Sequence, residues 1–506
     1  MVFVELLTGG ILLLLVFLLI FNCAYAGPDL HSDEQVMPTE GISHWLKNPH
    51  PVLHNYQSTP QLPTLVDVLI IGSGLGGLGA AEQLSSQANK LKIAVVDSRG
   101  LAEGATGHNG GNFQPMPENF IDKYEGLLEE RYKRSKENYP ALSEKELRQM
   151  AEAQALTLLM FGSENGKLFK SIVANYNLDP DISDAGWMRL ANSKQEELDF
   201  VEDVDRAKKV GIHMELWSAA KITRLTGIQT EFGGRFTPGY GNYHPYKFAT
   251  QLFEQLLKKG VLLYTQTRVT KIDWNTPLNK PVLVQTERGP ILAKKVIVAT
   301  DAYTSKMIPE MKDLVFPFQS QVVTYDGVSA KEVPLIKTGW TLTERDGDLY
   351  GNPPKATKYV DADGVERAMY LVGGGPDRLV DDADAPPLSK EMFDVIVAQT
   401  AFRFPGLKSW LVSSTWTGVF GFTPLRMPFL SYVTHNKVYD PRVIMTVGSQ
   451  GYGGGMSLFG GNLAGQLALL SPTEGEALLR RHDPHRFFEL PPLESTNKAL
   501  ACSSLF

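Results

Sequence analysis

The sequence predicts an α/β protein with two domains: a parallel sheet covered by helices, and a second domain built on a mixed or antiparallel sheet. A strand, a glycine-rich turn, a helix and a second strand follow one another between residues 67 and 97. From residue 321 to about 410, short alternating strands with turn dipeptides such as Asp346-Gly347 indicate the second sheet. Without an N-terminal leader of 26 residues, the 506-residue chain retains 480 residues, more than one hydrophobic core usually organises.

The first strand, residues 67–71 (DVLII), runs directly into the glycine turn GSGLGG at 72–77. A short apolar run of this kind is typical of a buried parallel strand. Gly72 permits the tight turn, Gly74 lets the backbone approach a pyrophosphate, and Gly77 lets the next helix pack closely. The turn therefore predicts a Rossmann-like dinucleotide site.

A second strand, residues 92–96, ends in Asp97, which lies 20 residues after Gly77 and is followed by Ser98. A carboxylate at this position can accept hydrogen bonds from a ribose diol. It also disfavours a 2′-phosphate, so NADP is the least favoured dinucleotide.

A second glycine-rich segment, residues 104–112 (GATGHNGGN), follows the second strand. Its small residues allow the loop to lie close over a cofactor, while Thr106 and Asn109 offer polar contacts. This loop resembles that of the D-amino-acid oxidase and glycine oxidase superfamily, flavoproteins that oxidise carbon–nitrogen bonds. The resemblance is strongest to fungal-type members with a G-A-T-G-R-N-G-G loop, and His108 stands where they have arginine.

The resemblance extends over nearly the whole chain after the leader. Residues 45–46 and 58–63 resemble the lead-in peptide of the fungal-type group, and 243–245 (YHP) resemble its His-Pro helix start. Residues 296–303 resemble a family strand, and 447–456 resemble the loop under the isoalloxazine, with a following helix whose N-terminus stabilises negative charge on the reduced ring. The resemblance implies FAD bound by Gly72, Ser73, Gly74, Gly76, Gly77, Asp97, Ser98, Thr106, Gly107, His108, Asn109, Gly110, Gly111, Val269, Ala299, Gly451, Tyr452, Gly453, Gly454, Gly455 and Met456.

Two roles are open for His108. Dimethylglycine and sarcosine dehydrogenase relatives, with the loop G-S-T-W-H-A-A-G, carry a histidine here that bonds covalently to the flavin. Alternatively, His108 replaces arginine as a polar contact, and the flanking residues match the arginine subgroup better. A cysteinyl flavin is disfavoured, since the chain contains only Cys23 and Cys502.

The resemblance implies hydride transfer from an amine or amino acid to flavin N5, hydrolysis of the resulting imine, and reoxidation of the flavin by O₂ with release of H₂O₂. Sarcosine oxidase relatives hold a lysine over the flavin on a strand similar to residues 369–371, where this chain has none. That difference favours the alternative of a dehydrogenase with another electron acceptor. A non-catalytic dinucleotide-binding protein is the alternative of another class. Candidate substrate contacts are Tyr370, Arg345, Arg378 and Arg403.

The N-terminus predicts a secretory signal peptide over residues 1–26. Residues 11–21 form an unbroken apolar run, followed by Ala24-Tyr25-Ala26. The segment before the run has no lysine or arginine, so an uncleaved membrane anchor is the alternative. We expect a secreted or anchored protein.

Composition favours a small-molecule partner. A net charge of −7 and a pI near 5.9 argue against a nucleic-acid or anionic-membrane surface, and no metal site is predicted. The predicted divisions are a leader (1–26), an extended lead-in (27–65), an FAD-binding part with a helical insertion (66–185), a substrate part (186–240), a second FAD-binding part (241–320), a second substrate part (321–410) and a third FAD-binding part with the tail (411–506).

Overall fold

The computed structural model describes residues 35–50, 53, 56, 61–114, 143–344, 349–384, 386–405, 410–423, 428–435 and 438–482. The predicted signal peptide and Arg345 lie outside the described residues. No helix among the described residues is long and apolar enough to cross a bilayer.

The described part of the chain contains strands and helices, each numbered in chain order. The strands are β1 (Leu65–Ile71), β2 (Ile93–Val96), β3 (Asn112–Phe113), β4 (Trp187–Leu190), β5 (Glu215–Trp217), β6 (Gly234–Thr237), β7 (Gly241–Asn242), β8 (Leu262–Tyr264), β9 (Val269–Asp273), β10 (Val282–Thr286), β11 (Gly289–Val298), β12 (Phe316–Ser329), β13 (Thr341–Glu344), β14 (Leu349–Asn352), β15 (Tyr359–Val360), β16 (Glu366–Leu379), β17 (Val412–Phe422), β18 (Phe429–His435) and β19 (Val438–Val447). The helices are α1 (Leu75–Ser85), α2 (Glu144–Asn175), α3 (Lys194–Lys209), α4 (Ala219–Thr226), α5 (Pro245–Lys258), α6 (Leu335–Thr338), α7 (Lys390–Arg403), α8 (Gly453–Leu469) and α9 (Pro472–His482).

The first sheet has the order β18-β19-β11-β1-β2-β8, with β10 paired to β11 and β9 paired to β10. The central strands β2, β1, β11 and β19 pair in parallel. Val68 and Ile70 of β1 pack in the core that includes α1, whereas Leu69 and Ile71 pack in a separate core on the other face. Burial on both faces explains the continuous apolar run of this strand.

The second sheet has the order β17-β12-β16-β14-β13-β4-β6-β5, and β15 pairs with β16. Most pairs are antiparallel, while β13 and β4 pair in parallel, so the sheet is mixed. The predicted fold class is therefore confirmed. One face of this sheet, including Leu371 and Trp416, shares a core with the first domain, and the other, including Val372, packs in a separate core with Phe393 of α7.

The sheet pairing differs from the predicted divisions at two places. Strand β12 begins at Phe316, before the predicted boundary at 320/321, and β17 pairs with β12 along its length, although residues 411–506 were assigned to the FAD-binding part. The pairing partners are about one hundred residues apart, so local periodicity does not reveal them.

Candidate functional site

Two glycines of the turn after β1, Gly72 and Gly77, leave no room for a side chain. Gly72 has a φ of +104°, and a Cβ there would lie 2.5 Å from the carbonyl oxygen of Ala299. A Cβ on Gly77 would lie 1.8 Å from the carbonyl oxygen of Gly72. The turn therefore keeps its backbone close to the end of β11, and α1 begins within it, at Leu75.

Asp97, at the carboxyl end of β2, holds the same turn in place. Its Oδ2 accepts hydrogen bonds from the Ser73 backbone N–H at 2.8 Å and from the Ser73 hydroxyl at 2.6 Å, and its Oδ1 accepts from the Arg99 N–H at 2.9 Å. A carboxylate has about four acceptor positions, so a bond to a ribose is compatible with these contacts. That role for Asp97 stays a prediction.

The loop at residues 104–112 reaches the N-terminus of α1. The Thr106 hydroxyl accepts from the Leu75 N–H at 3.1 Å, and His108 Nδ1 donates to the Gly104 carbonyl at 2.9 Å. Burial lowers the pKa of His108, and the nearby Arg99 guanidinium lowers it further, against the opposing effect of the Gly104 hydrogen bond. The imidazole is therefore neutral at neutral pH.

Three consecutive carbonyls of this loop each accept a hydrogen bond from a distant side chain. Trp416 Nε1 donates to His108 O at 2.9 Å, Trp45 Nε1 to Asn109 O at 2.6 Å, and Asn352 Nδ2 to Gly110 O at 3.0 Å. These donors belong to β17, the lead-in and β14. The loop is thus held by both the second sheet and the lead-in peptide.

The N-terminus of α8 packs on the end of the same loop. A Cβ on Gly454 would lie 1.9 Å from Asn112 O, and one on Gly455 would lie 2.9 Å from Gln114 O. The buried Gln114 Oε1 has no hydrogen-bond partner. Close-approach glycines, a helix N-terminus and a free acceptor converge here, an arrangement that fits the polar edge of a bound dinucleotide cofactor.

Asp301, after β11, joins three segments beneath the site. Its carboxylate accepts from the N–H groups of Gly421, Gly448 and Ser449 at 2.7–2.8 Å and from the Ser449 hydroxyl at 2.9 Å. Burial raises the pKa of this carboxyl, and the four hydrogen bonds offset part of the rise. Asp301 also has a φ of +45°, an uncommon conformation outside glycine. The sequence analysis did not single out Asp301, although an acid three residues after a buried apolar strand was a usable signal.

The remaining predicted cofactor residues lie in the same region. Val269 is buried at the start of β9, and Ala299 directly follows β11 beside Gly72. Tyr452 precedes α8, and Met456 is buried in its first turn. Contacts of the individual residues with FAD stay predictions.

The candidate substrate residues do not come together with the loop. Tyr370 is buried on the face of the second sheet that points away from it, with its ring centre 5.4 Å from that of Phe404. Arg378 is exposed near the end of β16. Arg403 forms an ion pair with Glu344 and donates to Asn192 Oδ1 at 3.1 Å, beside a small cleft that Tyr370 also lines.

The structure instead brings Tyr350 to the loop. A Cβ on Gly110 would lie 2.1 Å from Cε2 of its ring. Sequence reasoning missed Tyr350, Asn352, Trp416 and Trp45 as loop contacts. For Tyr350 and Asn352, the glycine between an aromatic and an amide residue was the available signal. Among the described residues, no group of three or more potential ligands is placed to hold a metal ion.

Comparison with known proteins identifies the family. The chain is 26% identical over 376 residues to gamma-glutamylputrescine oxidoreductase of Escherichia coli (strain K12), covering 74% of this chain and 78% of that protein. Its fold is similar to L-proline dehydrogenase from P. horikoshii (TM-score 0.63, 17% identity, 84% of this chain and 98% of that one) and to glycine oxidase from Geobacillus kaustophilus (TM-score 0.59, 16% identity, 80% and 95%). The model of the DAO family, FAD dependent oxidoreductase, matches residues 67–467, so the chain belongs to this family.

Proposed function

We propose that this protein binds FAD and oxidises a carbon–nitrogen bond of an amine or amino acid. The observation that carries the proposal is the meeting of three segments at one edge of the first sheet. The closed turn at Gly72 abuts Ala299, the loop at 104–112 bonds to the start of α1, and the N-terminus of α8 packs on that loop.

The substrate class is supported by the names of the relatives. Gamma-glutamylputrescine oxidoreductase, L-proline dehydrogenase and glycine oxidase are all named for substrates with an amine nitrogen. These likenesses are distant, and fold alone does not determine a substrate. We therefore propose the class and not a particular compound.

The chain's own residues would hold and orient the cofactor. The glycine turn and the N-terminus of α1 suit the pyrophosphate, Asp97 the ribose, and the α8 N-terminus the electron-rich edge of the ring. When bound, FAD supplies a ring that accepts a hydride from the carbon next to the amine nitrogen. The protein contributes positioning and exclusion of water, for which the buried Trp416 is suitably placed.

The function can be tested by the visible spectrum of the purified protein, with Gly72→Ala as the cofactor-binding variant. The added Cβ would meet Ala299 O, so we expect the variant to lose flavin absorbance. Gly41→Ala is the matched control, because Gly41 is exposed and a Cβ there meets nothing closer than 3.9 Å. A wild-type protein without flavin that also fails to bind added FAD would contradict the proposal.

Substrate class is tested by anaerobic bleaching of the flavin with amino acids, N-methylated amino acids and polyamine derivatives. We expect at least one amine to bleach the flavin and to yield a carbonyl product after hydrolysis. Bleaching by hydroxy acids alone would rule out carbon–nitrogen oxidation.

Two electron acceptors compete, O₂ and another acceptor. Met369 and Leu371 of β16 share the core with the first domain, so the side of the strand that faces the loop is apolar and carries no lysine at these positions. This favours a dehydrogenase over an oxidase. Turnover in air, compared with turnover with an artificial acceptor, separates the two.

A covalent flavin through His108 is a second proposal about the same site. Since a carbonyl can only accept, Nδ1 bonded to Gly104 O carries the proton, and Nε2 is the nucleophilic nitrogen of the neutral ring. Acid precipitation tests it: retention of yellow colour in the pellet, lost in His108→Ala, would support the link, and release of flavin into the supernatant would exclude it.

We also propose that the chain is of the fungal-type subgroup and that residues 1–26 direct it into the secretory pathway. The G-A-T-G-x-N-G-G loop and the apolar leader support these proposals. N-terminal sequencing of the protein recovered from its host would test the leader: a start at Gly27 indicates cleavage, and an intact Met1 indicates an anchor or no processing.

A further inference from the structure

Three cationic side chains from separate segments gather at the carboxyl edge of the first sheet. Arg99 follows β2, Arg268 directly precedes β9, and Lys306 lies in the turn of 3₁₀ helix after β11. In sheets of this type, dinucleotides bind outside the carboxyl ends of the parallel strands. The three cations therefore border the proposed cofactor crevice.

All three contact one carboxylate, that of Asp384. Arg99 Nη2 lies 2.8 Å from Asp384 Oδ1, and Arg268 Nη1 and Lys306 Nζ lie 3.1 Å and 2.5 Å from Asp384 Oδ2. The Asp384 and Arg99 side chains are each 27% exposed, so the ion pairs are only partly screened by solvent. Burial alone would raise the pKa of Asp384, but its cationic partners lower it overall.

Asp384 belongs to a segment that comes from the second domain, residues 380–384, here named the strap. The strap follows the end of β16, and its Val380 and Ala383 pack with Ala302 and Val419 in a small apolar cluster. Its Ala383 carbonyl accepts from the Tyr303 hydroxyl at 3.1 Å. The second domain thus lies against the loop after β11 through this segment.

Tyr303 and Arg99 connect the strap to the glycine turn. Arg99 Nη1 donates to the Tyr303 hydroxyl at 3.1 Å, and its guanidinium carbon lies 4.7 Å from the centre of the Tyr303 ring. The Arg99 backbone N–H bonds to Asp97, which holds Ser73 of the turn. A continuous set of contacts therefore connects the strap to the glycine turn at 72–77.

We propose that Asp384 is a positioning residue that fastens the strap beside the cofactor crevice and thereby slows the release of FAD. The inference rests on the proposed binding of FAD at this edge. The three ion pairs of Asp384, and a fourth between Lys306 and Asp382 of the strap at 3.1 Å, must separate before the strap can move away from the loop after β11. While these ion pairs are formed, FAD leaves more slowly past the carboxyl edge of the first sheet.

The same charges could also have the opposite effect on FAD release, so the direction of the change in release rate distinguishes the two roles. If the three cations served only to attract the diphosphate, Asp384 would compete with it, and removal of the carboxylate would slow FAD release. A fastening role predicts the reverse.

The test compares FAD release from holoprotein of the wild type and of Asp384→Asn, followed as the rise in flavin fluorescence after dilution. We expect release to be about tenfold faster in Asp384→Asn, because three weak, partly exposed ion pairs are lost together, and intermediate in Asp384→Glu. Asp394→Asn is the matched control, because Asp394 pairs with Lys390 at 2.7 Å on the exposed surface of α7; its release rate should equal that of the wild type.

The dependence of the FAD release rate on ionic strength distinguishes a fastening role of the ion pairs from a merely structural role of Asp384. Raising salt from about 0.05 M to about 0.5 M should accelerate release from the wild type and change the rate little in Asp384→Asn. Lys306→Gln removes the pairs with Asp384 and Asp382 but keeps those of Arg99 and Arg268 with Asp384, so it should give a smaller acceleration than Asp384→Asn, which removes three pairs. Release from Asp384→Asn that is unchanged or slower would overturn the proposal.

Failure of the proposed function is a separate result. The absence of flavin in the wild type, before and after reconstitution, would contradict FAD binding itself, whereas equal release rates would contradict only the role of Asp384. If acid precipitation shows a covalent flavin, the same rates are compared in the His108→Ala background.

Discussion

Tyr350 occupies a gap between two glycines that belong to different parts of the chain. A Cβ on Gly110 would lie 2.1 Å from its ring, and a Cβ on Gly373 of β16 would lie 2.2 Å from it. The ring therefore sets the spacing between the loop at 104–112 and the second sheet. Close packing of this kind leaves no room for an added methyl group.

The first prediction concerns this contact. Gly110→Ala should destabilise the protein by about 1–3 kcal/mol and weaken FAD binding, because the new Cβ overlaps the Tyr350 ring. Tyr350→Leu removes the outer part of the ring and should make Gly110→Ala less costly. A double-mutant cycle of unfolding free energies measures the coupling, and simple additivity of the two substitutions would refute the contact.

Residue-level prediction from the sequence succeeded where a backbone requirement was local. The close packing at Gly72 and Gly77 was predicted from the glycine spacing, and in the structure a Cβ at either residue would overlap a backbone carbonyl oxygen. Tyr370 was a candidate because its strand resembles the one that carries a lysine over the flavin in sarcosine oxidase relatives, but the side of a strand that faces a ligand depends on sheet register. Tyr370 pairs with Tyr325 and points with it into the core away from the loop.

At the level of elements, α5 illustrates how a cap couples a helix to pH. His244 is the N-cap residue of α5, and its Nδ1 accepts from the Lys247 N–H at 3.2 Å. Burial lowers the pKa of His244 to about 4, with smaller contributions from His44 and Lys247. A protonated ring has no free lone pair at Nδ1 to accept this hydrogen bond, so His244 can cap α5 only in its neutral form.

The second prediction follows from that exclusion. Because the folded-state pKa lies below the unfolded value of about 6.5, the contribution of His244 is complete above pH 6.5 and is lost as the pH falls towards 4, by about 3 kcal/mol in all. His244→Asn keeps a capping side chain that does not titrate. Unfolding free energies measured between pH 4 and 7 should therefore show a shallower acid decline in His244→Asn, and equal slopes would contradict the prediction.

Helices α1 and α8 contact each other through glycine faces. A Cβ on Gly461 of α8 would lie 1.8 Å from Gly76 O, and one on Gly79 of α1 would lie 2.0 Å from Leu458 O. The helix after the C-terminal loop was predicted, but this packing was not, since glycines within a helix ordinarily lower its propensity. Here they permit a close approach that fixes the N-terminus of α8 beside the turn.

The third prediction tests this approach. Gly461→Ala should raise helix propensity yet destabilise the protein by about 1–3 kcal/mol, because the helices must separate to admit the methyl group. Gly41→Ala serves as the control for a glycine without such a neighbour. A thermal unfolding temperature that is unchanged or raised in Gly461→Ala would show that the helices tolerate the separation.

For the whole molecule, the two sheets differed in how far the sequence could predict them. The first sheet alternates strand, helix and strand locally, so its parallel core was evident from residues 67–97. The second sheet joins strands from Trp187 to Phe422, and its central pair β12–β17 spans about a hundred residues. Long-range pairing of this kind is selected by packing of the whole chain, which no local pattern encodes.

Asp301 connects the two sheets at the site. It follows β11 of the first sheet and accepts hydrogen bonds from Gly421 of β17 and from Gly448 and Ser449 after β19. These last two residues begin the segment that leads into α8. One carboxylate therefore aligns the end of the second sheet with the loop that precedes the helix N-terminus.

The fourth prediction is that Asp301→Asn loosens this alignment. Asparagine has the same shape as aspartate and tolerates the positive φ, so residue 301 can keep its backbone conformation. Its side-chain NH₂ group, however, would face backbone N–H groups that now bond to a carboxylate oxygen. We expect a loss of about 2–3 kcal/mol in unfolding free energy and roughly tenfold weaker FAD binding, since buried N–H groups lose their acceptor. Calorimetry of the apoprotein and FAD titration measure the two effects separately. If Asp301 aligns the cofactor loop, the unfolding free energy of the apoprotein and the affinity for FAD should both fall in Asp301→Asn. A destabilised apoprotein with unchanged FAD affinity would show that Asp301 supports the fold without aligning that loop.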